Sequence, residues 1–154
     1  MSKHLHQGIW AAFIYSLVIF FAQSSFASHL VARVDSGAGG PVEGAVVYAT
    51  PLKAGDEKKG KPATASVHQV DKEFVDHVTV VRMGTPVYFP NKDKIRHHVY
   101  SFSQAKKFEI PLYKGMPSKP VVFDKEGPVT MGCNIHDWMH AYIYVVDTPY
   151  YITT

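Results

Sequence analysis

The sequence predicts an all-β protein, an antiparallel β-sandwich of about eight strands preceded by a signal peptide. Three observations predict it. Short runs rich in β-branched and aromatic residues recur along the chain, separated by Gly- and Pro-bearing turns. No segment after the first thirty residues repeats its apolar positions at the helical period. The one long apolar run lies at the very beginning, flanked as an export signal is flanked.

Taken in order, residues 1–27 read as that signal. Lys3 stands ahead of an apolar run from Ile9 to Ala22, and Ser25-Phe26-Ala27 puts small residues at the two positions that a signal peptidase inspects. The run covers 14 residues, short of the roughly 20 that cross a bilayer. No later stretch is apolar for long enough, so a periplasmic protein with no membrane span after cleavage is expected. The remaining residues, 28–154, suit one domain.

Strands are expected first at His29–Val34, where Leu30, Ala32 and Val34 alternate, and then, past the turn 36–41, in the β-branched stretch Val42–Thr50. Residues 51–65, rich in Lys, Gly and Pro, read as an exposed loop. Further strands are expected at Ser66–Val70, His77–Arg82 and Val87–Pro90, the last two joined by Gly84-Thr85-Pro86. His98–Ser103, Lys107–Leu112 and Val121–Asp124 follow, with Lys125-Glu126-Gly127-Pro128 as the next turn. Val129–Cys133 and Ala141–Val146 close the series and flank a short loop, Asn134–His140.

The formal net charge of +3 is too mild, and the basic residues too dispersed, to point to nucleic acid. The single cysteine says more. An exported chain with one cysteine makes no internal disulfide, so Cys133 is a free thiol, an intermolecular link or a metal ligand.

Cys133 opens the string Cys-x-x-His-x-x-Met, completed by His136 and Met139. A loop this tight can bring a thiolate, an imidazole and a thioether towards one point. Soft and intermediate donors of that kind suit copper far better than magnesium or calcium. Zinc gains little from a thioether, and its structural sites are richer in cysteine. A second imidazole would complete a trigonal site of two histidines and one cysteine, and His97-His98 offers it at the start of a strand. Taken alone, the string is also what a buried cysteine, a surface histidine and a core methionine would look like. The joint occurrence of all the pieces in an exported all-β chain favours the metal site.

Asn91, His97 and Val99, followed by Cys133-x-x-His136-x-x-Met139, resemble the type 1 copper proteins, the cupredoxins, with an amicyanin-like ligand loop. Phe89-Pro90-Asn91, the run from Arg96 to Ser103, Phe108 to Tyr113, Gly132 to Met139 and Ala141-Tyr142-Ile143 are most similar to a bacterial group. Its members are the plastocyanin-like proteins, often labelled methylamine utilisation proteins. The likeness is strong over residues 77–149 and weaker at Pro41–Tyr48. It implies a cupredoxin-like Greek-key sandwich holding one copper ion. His97, Cys133 and His136 would be the ligands, with Met139 as the weak axial donor. His98, the alternative ligand, falls where these proteins carry an asparagine that ties the ligand loops together. Asn134 stands where they carry a hydroxyl residue, so a His98–Asn134 hydrogen bond is expected instead. The group commonly continues past Asp147–Tyr150 with more β structure, so a shortened member is expected.

Copper so held has no open position for a substrate, which suits one-electron transfer and not bond-making. The resemblance implies redox protein partners docking near His136 and Trp138, with Ile135 and Met139 alongside, on a monomer that is not an enzyme. The alternative is copper transport or storage, against which stand the single cysteine and the scatter of Met83, Met116 and Met131. An enzyme that chelates copper through an N-terminal His29 would need cleavage after Ser28, a poor peptidase site. His68, His77 and His140 show no spacing that suggests a second metal.

Overall fold

The computed structural model describes residues 30–53 and 60–154. The expected signal peptide lies outside the described residues, as do residues 54–59 of the expected loop. Every element among the described residues is a strand, and none of these residues forms a helix able to cross a membrane.

In chain order the strands are β1 (Val46–Tyr48), β2 (Ala65–Ser66), β3 (Gln69–Val70), β4 (Glu73–Phe74), β5 (Val78–Arg82) and β6 (Thr85–Tyr88). They continue as β7 (His97–Phe102), β8 (Lys107–Tyr113), β9 (Val121–Phe123), β10 (Gly127–Cys133), β11 (His136–Val146) and β12 (Tyr151–Thr153). One layer is a five-stranded sheet in the order β5-β11-β10-β7-β8. The facing strands form the sheet β2-β6-β9; the hairpin β3-β4 follows β2 and brings β4 near β11, while the pair β1-β12 lies next to β5. Pairing is antiparallel except for β5 with β11 and β2 with β6.

The core follows from the alternation of side chains along the strands. Val129, Met131 and Cys133 on β10 point inward, as do Met139, Ala141, Ile143 and Val145 on β11. Val87 and Phe123 meet them from the second layer, with Val67 and Phe89 just beyond the ends of β2 and β6. Each of these facing residues is wholly removed from water, the equivalent of about 1.5–3 kcal/mol of apolar transfer for side chains of this size.

Three expectations change in detail. Residues 30–34 form no strand: Leu30 and Val31 are exposed, so their alternation finds no sheet to join. Of the expected loop Asn134–His140 only Asn134 and Ile135 connect the strands; from His136 onward it is strand, because His136 already pairs with Cys133. β4 and β12 were not anticipated; each is three residues or shorter, below the length at which a period of two is readable.

Candidate metal centre

Three neighbouring central strands carry the three strongest donors. β10 ends at Cys133 after a bulge between Gly132 and Cys133, and β11 starts at His136, so the two residues pair across the two-residue connection Asn134-Ile135. Val99 of β7 pairs with Cys133 on the other side. His97 lies two residues before Val99 and therefore points to the same inner face.

The donor atoms converge. Cys133 Sγ lies 3.8 Å from His97 Nδ1 and 3.7 Å from His136 Nδ1. All three atoms fall within 4.8 Å of one another. Bonds of about 2.0 Å to nitrogen and about 2.3 Å to sulfur, meeting at a trigonal angle, separate N and S by about 3.7 Å. The spacing is thus that of ligands around one metal ion, and the group is placed to hold one. His97 is fully buried, Cys133 nearly so and His136 half-buried. Met139 is also buried, on β11 three residues beyond His136, and borders the same cleft as Cys133.

The sequence reading missed what stands behind His97. Its other nitrogen, Nε2, lies 2.7 Å from Asp93 Oδ2. Asp93 in turn accepts from the backbone N–H groups of Asp71 at 2.7 Å and Lys72 at 2.9 Å. Partial burial opposes the charge on Asp93, but His97 and these two amides outweigh it and hold its carboxyl below the ordinary range. Asn91 fixes the loop from within: its Oδ1 accepts from Asp93 N at 2.9 Å, while its Nδ2 donates to Ile95 O at 2.9 Å and Tyr113 O at 3.0 Å. The only trace of this in the sequence is the spacing of Asn91 and Asp93 ahead of His97.

Tyr113, on β8, closes the buried side. Its hydroxyl donates to Phe89 O at 2.6 Å and accepts from Gln69 Nε2. Burial, aided by the nearby Cys133 charge and against the Gln69 hydrogen bond, pushes its phenol up to about 12.

His98 goes elsewhere. Its side chain turns to the opposite face of β7 and pairs with Glu109 on β8, Nε2 to Oε1 at 3.0 Å. The expected His98–Asn134 side-chain bond is replaced by a backbone one, Asn134 N to His98 O at 3.3 Å. Alternation explains this: on β7 only one of two successive histidines can face the core.

Towards the surface, the His136 and Trp138 rings lie 5.2 Å apart, and Trp138 is 61% exposed together with Ile135. Desolvation, with His97 and Lys72 nearby and against the Asp93 charge, lowers the tendency of His136 to protonate.

No family model and no curated protein matches the chain. Solved structures do. The chain is similar to a copper-containing nitrite reductase from Thermus scotoductus SA-01, with 23% identity and a TM-score of 0.50 over 75% of this chain, which spans 25% of that enzyme. It is also similar to a purple cupredoxin from Nitrosopumilus maritimus, at 20% identity and a TM-score of 0.47 over 53% of this chain and 99% of that one. A reduced amicyanin variant gives 18% identity and a TM-score of 0.48 over 53% and 80% of the two chains. These are likenesses of fold: the chain is an all-β sandwich of the cupredoxin kind.

Proposed function

We propose that this protein is a type 1 copper protein of the periplasm, a monomer that carries single electrons between redox proteins and is not an enzyme. The observation that carries the reading is the convergence of Cys133 Sγ with the Nδ1 atoms of His97 and His136 at trigonal spacing. A thiolate and two imidazoles, joined by the thioether of Met139, would form a soft set that selects copper over magnesium, calcium or manganese. The chain's role is to hold that set on three paired strands and to keep water away from the sulfur, Cys133 being 3% exposed. Bound copper supplies the one-electron couple, Cu(II)/Cu(I).

The expected export signal, residues 1–27, supports the location, and residues 28–154 would form the mature domain. Partners would dock where His136 reaches the surface, over the exposed Trp138 and Ile135. Burial of the sulfur and of His97 weighs against transport or storage, which need a ligand set that a partner can reach.

The test is the visible absorption spectrum after Cu(II) addition, for the parent and for Cys133→Ser. An intense thiolate-to-copper band that reductant bleaches, absent from the variant, is expected. A colourless protein that binds copper all the same would replace the carrier reading with transport or storage.

A further inference from the structure

We propose that Asp93 is a positioning residue for this centre: its carboxylate, gripped by the turn of the β3–β4 hairpin, locks His97 onto the metal through Nδ1 and favours Cu(II) over Cu(I). The inference rests on the copper reading above.

The grip is built from the hairpin. Asp71 and Lys72 form its two-residue connection, both in the left-handed region with φ of 53° and 63°. That conformation is the one such a tight hairpin needs, and it turns both amides to the outside of the turn. Asp93 receives both of them, one on each carboxylate oxygen. Oδ2 also takes His97 Nε2 at 2.7 Å, and its own backbone N–H is tied to Asn91. The carboxylate therefore cannot swing away without breaking several bonds at once.

An imidazole has two nitrogens. With Nε2–H donated to Asp93, the lone pair of His97 sits on Nδ1, the atom that faces the sulfur. The orientation is fixed at both ends of a ring that solvent does not reach. Hydrogen-bonded carboxylates behind a ligating histidine orient the ring and raise its basicity.

Charge gives the direction of the redox bias. The Cys133 thiolate and the Asp93 carboxylate together neutralise Cu(II), whereas Cu(I) leaves one negative charge uncompensated. The Asp93 side chain is only 12% exposed, so water screens that excess poorly. The site should prefer the oxidised ion. His136, which meets the sulfur and the exposed Trp138 ring, receives no such support from Asp93's carboxylate.

The experiment compares Cu(II) and Cu(I) affinities of the parent, Asp93→Asn and Asp93→Glu, with the absorption spectrum recorded for each. In Asp93→Asn the ratio of Cu(II) to Cu(I) affinity should fall about tenfold, a rise of about 59 mV for a one-electron couple. Asp93→Glu keeps the charge, and its ratio should stay within about threefold of the parent. A purely structural role would weaken both oxidation states alike and leave the ratio unmoved; that result overturns the proposal. Should Asp93→Asn fail to fold, Asp93→Ser takes its place in the same comparison, and a ratio that does not fall overturns the proposal. A parent without a copper–thiolate band would instead overturn the copper reading, and the inference with it.

Discussion

Asn91 is the residue whose loss should reveal how much the 91–97 loop contributes to the fold and to the centre. It is 4% exposed and makes three side-chain hydrogen bonds, two donated to Ile95 O and Tyr113 O and one accepted from Asp93 N. Asn91→Ala removes all three and leaves their backbone partners to find others. At about 1 kcal/mol for each net hydrogen bond, the loss is about 3 kcal/mol. Ile95 is 40% exposed, so water can replace the bond at its carbonyl. That correction brings the expected loss to about 2–3 kcal/mol. With a urea slope of about 2 kcal/mol per molar, the unfolding midpoint should drop by about 1–1.5 M. The backbone pair between Asn91 and Gly115 survives the substitution, so the strand ends stay joined and the damage is confined to the loop. Asp93 and His97 ride on that loop, and part of the cost should pass to metal binding. If half of it does, copper affinity falls about tenfold. A midpoint within about 0.3 M of the parent, with affinity unchanged, would refute the assignment of Asn91 as the internal brace.

Two further outcomes follow from the same geometry. His98→Ala should leave the copper–thiolate band in place and cost no more than about 1 kcal/mol, since its Glu109 partner is 63% exposed; loss of the band would move the ligand from His97 to His98. Tyr113, with its phenol raised from the ordinary 10 to about 12, supports the fold only in its neutral form. Its contribution is complete below the ordinary value and disappears as the pH climbs through the raised one. Urea midpoints taken from about pH 8 to about pH 11.5 should therefore fall less steeply at the alkaline end for Tyr113→Phe than for the parent, and parallel curves would exclude the phenol as the cause.

The parts of the molecule that were legible in the sequence are those set by local spacing. Cys133 and His136 are three residues apart across a two-residue connection, so one hairpin brings them together whatever the rest of the chain does. The choice of His97 over His98 rests on the resemblance to the type 1 copper proteins, which place the ligand two residues before the apolar Val99; the period of two along β7 is the physical reason that position faces the core. The pairing of β1 with β12 joins residues about a hundred positions apart, and β5 lies parallel to β11. No local pattern encodes either partnership; each depends on which edges remain open once the central strands have paired. Asp93 was missed for the same reason. Its role depends on the turn at Asp71-Lys72, whose left-handed backbone is carried by an Asp-Lys pair and not by the Asn-Gly or Gly-Gly that announces such a turn.

The two histidines proposed as ligands stand in different surroundings. His97 is sealed in the core and braced by a carboxylate, itself braced by a turn and by Asn91. His136 is half-buried, beside an exposed aromatic ring and at the start of a strand. A carrier needs ligands that barely move between oxidation states, and it also needs an edge through which the electron leaves. Bracing both rings would bury that edge; exposing both would let water reach the sulfur and soften the geometry. On the electron-carrier reading, placing rigidity on β7 and access on β11 meets both needs with the same residue type, because the strands differ in what lies behind them. Moving the brace would exchange the duties: a carboxylate behind His136 would cost docking surface, whereas removing Asp93 alters the potential and leaves that surface intact.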